Sequence, residues 1–149
     1  MQSASDQVIT FKIVNHGTSE YETLVALRQE ILRTPLGLSF TTEELEKEKS
    51  HTHIVALLND EIIATAGLVI ESSSCKMRQV AVSKKFQGQG LGSLLMNFCE
   101  KYAKEKGIPS IYCHARHHVV PFYEKNGYVC EGDDFNEVGI IHTKMRKNL

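Results

Sequence analysis

Apolar and polar positions along this chain recur with two periods, and each switch between them marks an element. Residues 8–14 alternate with β-branched side chains and predict a first strand ending at Asn15-His16-Gly17. Tyr21, Leu24, Leu27 and Ile31 then recur at three- and four-residue steps behind the cap candidates Thr18 and Ser19, which predicts a helix that Pro35 stops. Thr41 and Glu44 have the spacing of a capping box and open a short acidic helix running to Lys49. Residues 53–58 and 62–70 flank the turn pair Asn59-Asp60 and predict an antiparallel hairpin. A further strand over 76–82 follows the Ser72-Ser73-Ser74 turn. Leu91, Leu94, Leu95, Phe98, Cys99, Tyr102 and Ala103 share one face of the clearest amphipathic helix, which Gly107 and Pro109 close. A strand over 111–115, a short helix over 119–126 closed by Gly127, and strands near 128–130 and 140–145 complete the pattern.

The resulting order is β-α-α-β-β-β-α-β-α-β-β. Hairpin strands followed by a βαβ unit predict a mixed sheet with helices packed on it, an α/β fold of the α+β type. A length of 149 residues suits a single domain over 1–149 with no linker or repeat. With 42% hydrophobic and 23% charged residues the chain can bury a core and does not resemble a disordered sequence. Seventeen Lys+Arg against eighteen Asp+Glu leave a net charge of −1, so no bulk field draws it to nucleic acid or anionic membrane. No apolar run reaches the roughly 18–20 residues of a membrane span, and Met1-Gln2-Ser3-Ala4-Ser5-Asp6 lacks a signal-peptide pattern, so a cytoplasmic location is expected. Cys75, Cys99, Cys113 and Cys130 form no C-x-x-C pair and read as reduced packing residues.

The candidate chemistry concentrates where the strand over 76–82 runs through Gln87-Gly88-Gln89-Gly90-Leu91-Gly92 into the strongest helix. Glycines let backbone N–H groups turn inward, and the helix start adds unpaired donors and the positive end of its dipole, which suits a phosphate or pyrophosphate. Ser93 stands where a dinucleotide G-x-G-x-x-G would need glycine, and Gly92-Ser93-Leu94 is not a Walker loop.

Gln87-x-x-Gly90-x-Gly92 resembles the acetyl-CoA signature of the GNAT superfamily of N-acetyltransferases. Ala115-Arg116 followed by Val120-Pro121-Phe122-Tyr123-Glu124-Lys125-Asn126-Gly127-Tyr128 is similar to that superfamily's Phe-Tyr-x-x-x-Gly-Phe/Tyr helix, and Gly139-Ile140-Ile141-His142 resembles a segment of one bacterial subgroup. The resemblance implies a GNAT-like, mostly antiparallel sheet of about six or seven strands flanked by about four helices. It implies transfer of acetyl from acetyl-CoA to a primary amine by direct attack, the acceptor being a small-molecule or peptide amine. It also implies that the fourth and fifth strands splay apart to admit the cofactor. Val80, Ala81 and Val82 would then meet the pantetheine arm; Gln87, Gly88, Gln89, Gly90, Leu91, Gly92 and Ser93 the pyrophosphate; and Arg116, Phe122, Tyr123 and Lys125 the remainder. Arg116 stands where many relatives carry Asn. A homodimer through the late strands is a further implication.

Tyr123 is the candidate general acid toward the departing thiolate. The base is open among Glu71, His114, Glu137, His142 and a chain of waters, with Glu71 and His142 taken forward beside Tyr123 as catalytic candidates. No metal is expected, because His114, His117 and His118 have no Cys or carboxylate at ligand spacing. His51-x-His53 reads as a solvated strand edge, and Glu43, Glu44, Glu46 and Glu48 either steer a cationic amine or form a solvated helix face. The competing reading is a non-catalytic acyl-CoA sensor module.

Overall fold

Two-residue turns and short helices organise the first half of the chain. In the computed structural model, which describes residues 8–149, β1 (Ile9–Val14) leads into α1 (Ser19–Arg28), capped by Thr18, whose hydroxyl accepts from the Tyr21 N–H. The signal-peptide reading of the first six residues lies outside the described residues. The helix does not stop at Pro35 as the spacing predicts. It ends as an α-helix at Arg28, widens into a π turn over Gln29–Arg33, and tightens into a 3₁₀ turn over Thr34–Leu36 with Pro35 in its first positions. Pro fits there because that N–H would be unpaired anyway. α2 (Thr42–Glu46) carries the expected capping box between Thr41 and Glu44.

β2 (Thr52–Leu58) and β3 (Glu61–Ile70) form the predicted hairpin, and Asn59 and Asp60 both take positive φ, as a type I′ turn requires. β4 (Cys75–Val82), α3 (Leu91–Glu105), β5 (Ser110–Arg116), α4 (Val120–Lys125), β6 (Val129–Cys130), β7 (Phe135–Glu137) and β8 (Ile140–Asn148) follow. The strands make one sheet ordered β1-β2-β3-β4-β5-β8-β6, with β7 also on β8. Only the β4–β5 pair is parallel, so the mixed, mostly antiparallel α+β architecture is as expected.

Eight strands are present among the described residues rather than six or seven. The addition is β7, in a segment that reads as loop: Phe-Asn-Glu is short and polar, and Val138, which is β-branched, takes φ 48 in the turn to β8.

The amphipathic face of α3 buries Leu91, Leu95, Met96, Cys99 and Ala103 against Ile54, Ile63 and Met77 on one side of the sheet. On the other side α1 covers Val14 and Val55 with Tyr21 and Leu24.

Three local readings are corrected by this packing. His53 is not on a solvated edge but 2% exposed, because α1 and the turn after α2 close over it. Glu48 leaves the acidic helix face to bind Arg28 through both oxygens at 2.9 Å, with the Tyr21 hydroxyl donating to it at 2.7 Å. Cys75, Cys99 and Cys113 are buried as expected, whereas Cys130 on the short β6 is exposed.

Candidate active site

The site begins with a defect in β4. Between Thr65↔Ala81 and Gly67↔Arg78 the register with β3 shifts, so Gln79 and Val80 stand opposite one residue, and Gln79 takes φ 53. Such a bulge bends its strand. Pairing of β4 with β5 is confined to Cys75–Met77 against Ile111–Cys113, and beyond it the two strands part. The gap opens into a cavity of about 890 Å³.

At one end of the cavity lies the glycine turn. Gly88 and Gly90 take φ 76 and 83, a region that costs a residue with a Cβ about 1–2 kcal/mol. The Gln87 side chain donates to the Val82 carbonyl at 2.9 Å and staples the turn to β4. Gly90 caps α3 without a side-chain bond, and the first N–H bonded within the helix is that of Leu94, to the Gly90 carbonyl at 3.2 Å. The amides of Leu91, Gly92 and Ser93 therefore remain as donors facing the cavity. Gly92 is needed for space: a Cβ there would sit 3.1 Å from the Phe122 ring. The turn, the free edge of β4 and the cavity between them fit a long thioester with a pyrophosphate at one end.

Deeper in, Tyr123 is 8% exposed, with the buried Cys113 thiol beside it. Burial raises the phenol well above its ordinary range and pushes the Cys113 thiol up to about 12, so both stay protonated at neutral pH.

Beyond Tyr123, three of the four base candidates meet. β8 places His142 opposite Arg116 of β5, and the β7–β8 hairpin swings Glu137 over both strands. His114 Nδ1 donates to Glu137 Oε1 at 3.2 Å, leaving Nε2 as an acceptor. His142 Nδ1 donates to the Ile140 carbonyl at 2.9 Å and its Nε2 faces Glu137 Oε2 at 3.7 Å. Phe135 packs edge-on against His114 at 4.8 Å. Burial lowers the His114 pKa against the opposing pull of Glu137, so the imidazole is neutral at pH 7.

Glu71 is elsewhere. It accepts from the Tyr112 hydroxyl at 2.9 Å and from Ser74 at 3.1 Å, outside the cavity lining, and is corrected as a base candidate on that ground. Ala81 is also outside the lining, buried on the α1 side of the sheet where it pairs with Thr65, and the Gln89 side chain turns away to the Lys85 carbonyl. Val80, Val82, Gln87, Gly88, Gly90, Leu91, Gly92, Ser93, Arg116, Phe122, Tyr123, Lys125 and His142 all line the cavity. Arg116 is held by the Leu32 carbonyl at 2.8 Å, in the π turn. No metal-binding group of His, Cys, Asp or Glu occurs among the described residues. No described helix is long and apolar enough to cross a membrane.

Sequence reading missed Lys76, Arg78 and Arg33, which also line the cavity. Alternation of charge with buried Cys75, Met77 and Ala81 along β4 was the available signal for the first two.

Comparison with known proteins agrees with this geometry. The profile of the Acetyltransferase (GNAT) domain matches residues 23–149. The uncharacterized N-acetyltransferase YitI of Bacillus subtilis is 27% identical over 140 residues, covering 89% of this chain and 94% of that protein. An acyl-CoA N-acyltransferase from Pseudomonas aeruginosa superposes with a TM-score of 0.80 at 21% identity, covering 94% of this chain and 99% of the other. A GNAT family acetyltransferase from Elizabethkingia anophelis with acetyl-CoA bound gives 0.72 at 22% identity, covering 95% and 98%. With the domain profile spanning all but the first strand and the start of α1, the chain belongs to the GNAT family of acetyltransferases.

Proposed function

We propose that this chain, as one catalytic domain over residues 1–149, moves an acetyl group from acetyl-CoA to a primary amine by direct attack, with His114 as base and Tyr123 as donor to the leaving sulfur. The observation that carries the reading is the His114–Glu137 pair, 3.2 Å long, with its free Nε2 in the same cavity as Tyr123 and the start of α3.

Binding comes first. The amides of Leu91, Gly92 and Ser93 would hold the pyrophosphate, and the unpaired edge of β4 around Val80 and Val82 would extend to the amide groups of the pantetheine arm. An N–H on that edge would also stabilise the oxyanion formed during attack.

An amine of pKa ~10.4 lies about 3.4 units above neutrality, so freeing its lone pair costs about 4.6 kcal/mol. His114 is suited to that proton because it is neutral, and Glu137 fixes its tautomer and stabilises the imidazolium that forms. The nitrogen attacks the thioester carbon, the C–S bond breaks, and the sulfur leaves with the electron pair. Tyr123 donates to that sulfur, and the nitrogen gives up its second proton, which restores the Tyr123 phenol. Against an ordinary thiol of pKa ~8.5 a phenol raised above its usual value is a weak acid. Cys113 beside it is pushed up to about 12, however, and a thiolate released in the same surroundings meets the same desolvation, which brings the two proton affinities together.

The test is thiol release over a panel of primary amines with His114→Gln and Glu137→Gln variants, CoA affinity being measured in parallel by calorimetry. His114→Gln should lower kcat by roughly 10²–10⁴ and abolish the acidic limb of the pH profile, with CoA affinity unchanged. A rate within a factor of about two of the parent would assign the proton to water instead. A titration of CoA that produced no heat in folded protein would remove the enzyme reading.

A further inference from the structure

The half of the cavity away from the glycine turn has an unbalanced charge. Lys76 and Arg78 are two apart on β4, so both side chains stand on the α1 side of the sheet, opposite buried Met77. Both are half-buried and line the cavity. The other cations there are engaged. Arg33 pairs with Glu44 at 2.9 Å and stacks over Phe40 at 4.1 Å, while Arg116 is held by the Leu32 carbonyl. Among the described residues neither Lys76 nor Arg78 has a carboxylate within 4.0 Å. Burial and the neighbouring Arg78 charge lower the Lys76 pKa, and Arg78 also lowers that of His51.

The cofactor's phosphates do not explain these two cations. Between Arg78 and the glycine turn lie the rest of β4, to Val82, and a 3₁₀ turn over Lys84–Phe86. Glu137 and His114, which would meet the amine, lie beside Lys76, whose charge is one of the influences lowering His114.

Resting on the proposed acetyl transfer, we infer that the acceptor is an anionic amine, a primary amine whose other end carries a carboxylate or phosphate bound by Arg78 with Lys76 beside it. A guanidinium fork takes either anion in two parallel hydrogen bonds, and a lysine supplies a point charge. An acceptor with a second ammonium group in that position would be repelled. The bound anion would also offset the Lys76 charge at His114, so the correct acceptor strengthens its own base.

The experiment uses the full chain with acetyl-CoA and reads thiol release with the common L-amino acids, their amides, O-phosphoethanolamine, putrescine and spermidine. Parent, Arg78→Gln, Arg78→Lys and Lys76→Gln proteins are compared, each checked by CoA titration. The expected result is that an amino acid or O-phosphoethanolamine exceeds its uncharged counterpart about tenfold or more in kcat/KM, and the arm that reacts identifies the anion. Arg78→Gln should remove that preference through the acceptor KM, leaving CoA affinity in place, and Arg78→Lys should restore part of it. Preference for amides or polyamines, a preference that survives Arg78→Gln, or no reaction across the panel in protein that binds CoA would overturn this inference alone. Failure of the parent to bind CoA would overturn the transfer reading with it.

Discussion

Gly90 separates the backbone demand of the glycine turn from its electrostatics. It takes φ 83, and a Cβ added there meets nothing within 4 Å. Gly90→Ala therefore introduces backbone strain without a clash, about 1–2 kcal/mol. At roughly 2–4 °C per kcal/mol for a chain of this size, melting should fall by about 2–8 °C. Gly90→Glu carries the same strain and adds a carboxylate at the mouth of the turn. At ~6 Å from each of two phosphate charges and an effective dielectric constant of about 40–80, repulsion amounts to roughly 1.4–2.8 kcal/mol, a tenfold to hundredfold loss of affinity beyond that of Gly90→Ala. Calorimetric titration with CoA at low salt gives both affinities. Repeating it at ~1 M salt, where screening reaches ~3 Å, should bring the two variants together. Equal CoA affinity of the Ala and Glu variants at low salt would show that the phosphates do not rest on this turn, and the placement of the cofactor would have to be abandoned.

Other consequences are as direct. Tyr123→Phe should lower kcat far more than CoA affinity, and steady-state kinetics would show an unchanged rate if the phenol only packs. Glu48→Gln should destabilise by about 3–5 kcal/mol, read by denaturant unfolding, because it leaves Arg28, 1% exposed, without its counter-charge. Stability should also fall as pH drops below ~6.5. His53, His51 and His114 have folded pKa values below the ordinary one, chiefly through burial, so the unfolded chain takes up protons in that window before the folded one does. Melting curves between pH 7.5 and pH 5 in parent and His53→Gln protein test this, since the variant should show a shallower slope.

Much of the molecule was legible in local order along the chain. The 3.6-residue period of α3, the positive-φ pair Asn59-Asp60, the Thr41–Glu44 box and the turn from Gln87 to Gly92 each depend on neighbours a few residues apart. The glycine-turn end of the cavity followed, because it is made of consecutive amides and needs no distant partner.

What sequence could not assign is made of residues far apart in the chain. Four carboxylate or imidazole groups were candidates for the base, with Glu71 and His142 taken forward, whereas the β5–β8 pairing and the β7 hairpin bring His114, Glu137 and His142 within one cluster and leave Glu71 on Tyr112. Glu48 and His53 read as surface residues because their polarity says nothing of Arg28, twenty positions from Glu48, which closes over them. The bulge at Gln79, on which the opening between β4 and β5 depends, carries no glycine or proline to announce it. Secondary structure and the glycine turn are set by short-range sterics and hydrogen bonds that a sequence displays. The clustering of the base candidates, the paired and unpaired cations and the shape of the cavity's far end are set by which strands lie side by side, and burial and charge acquire their values only there.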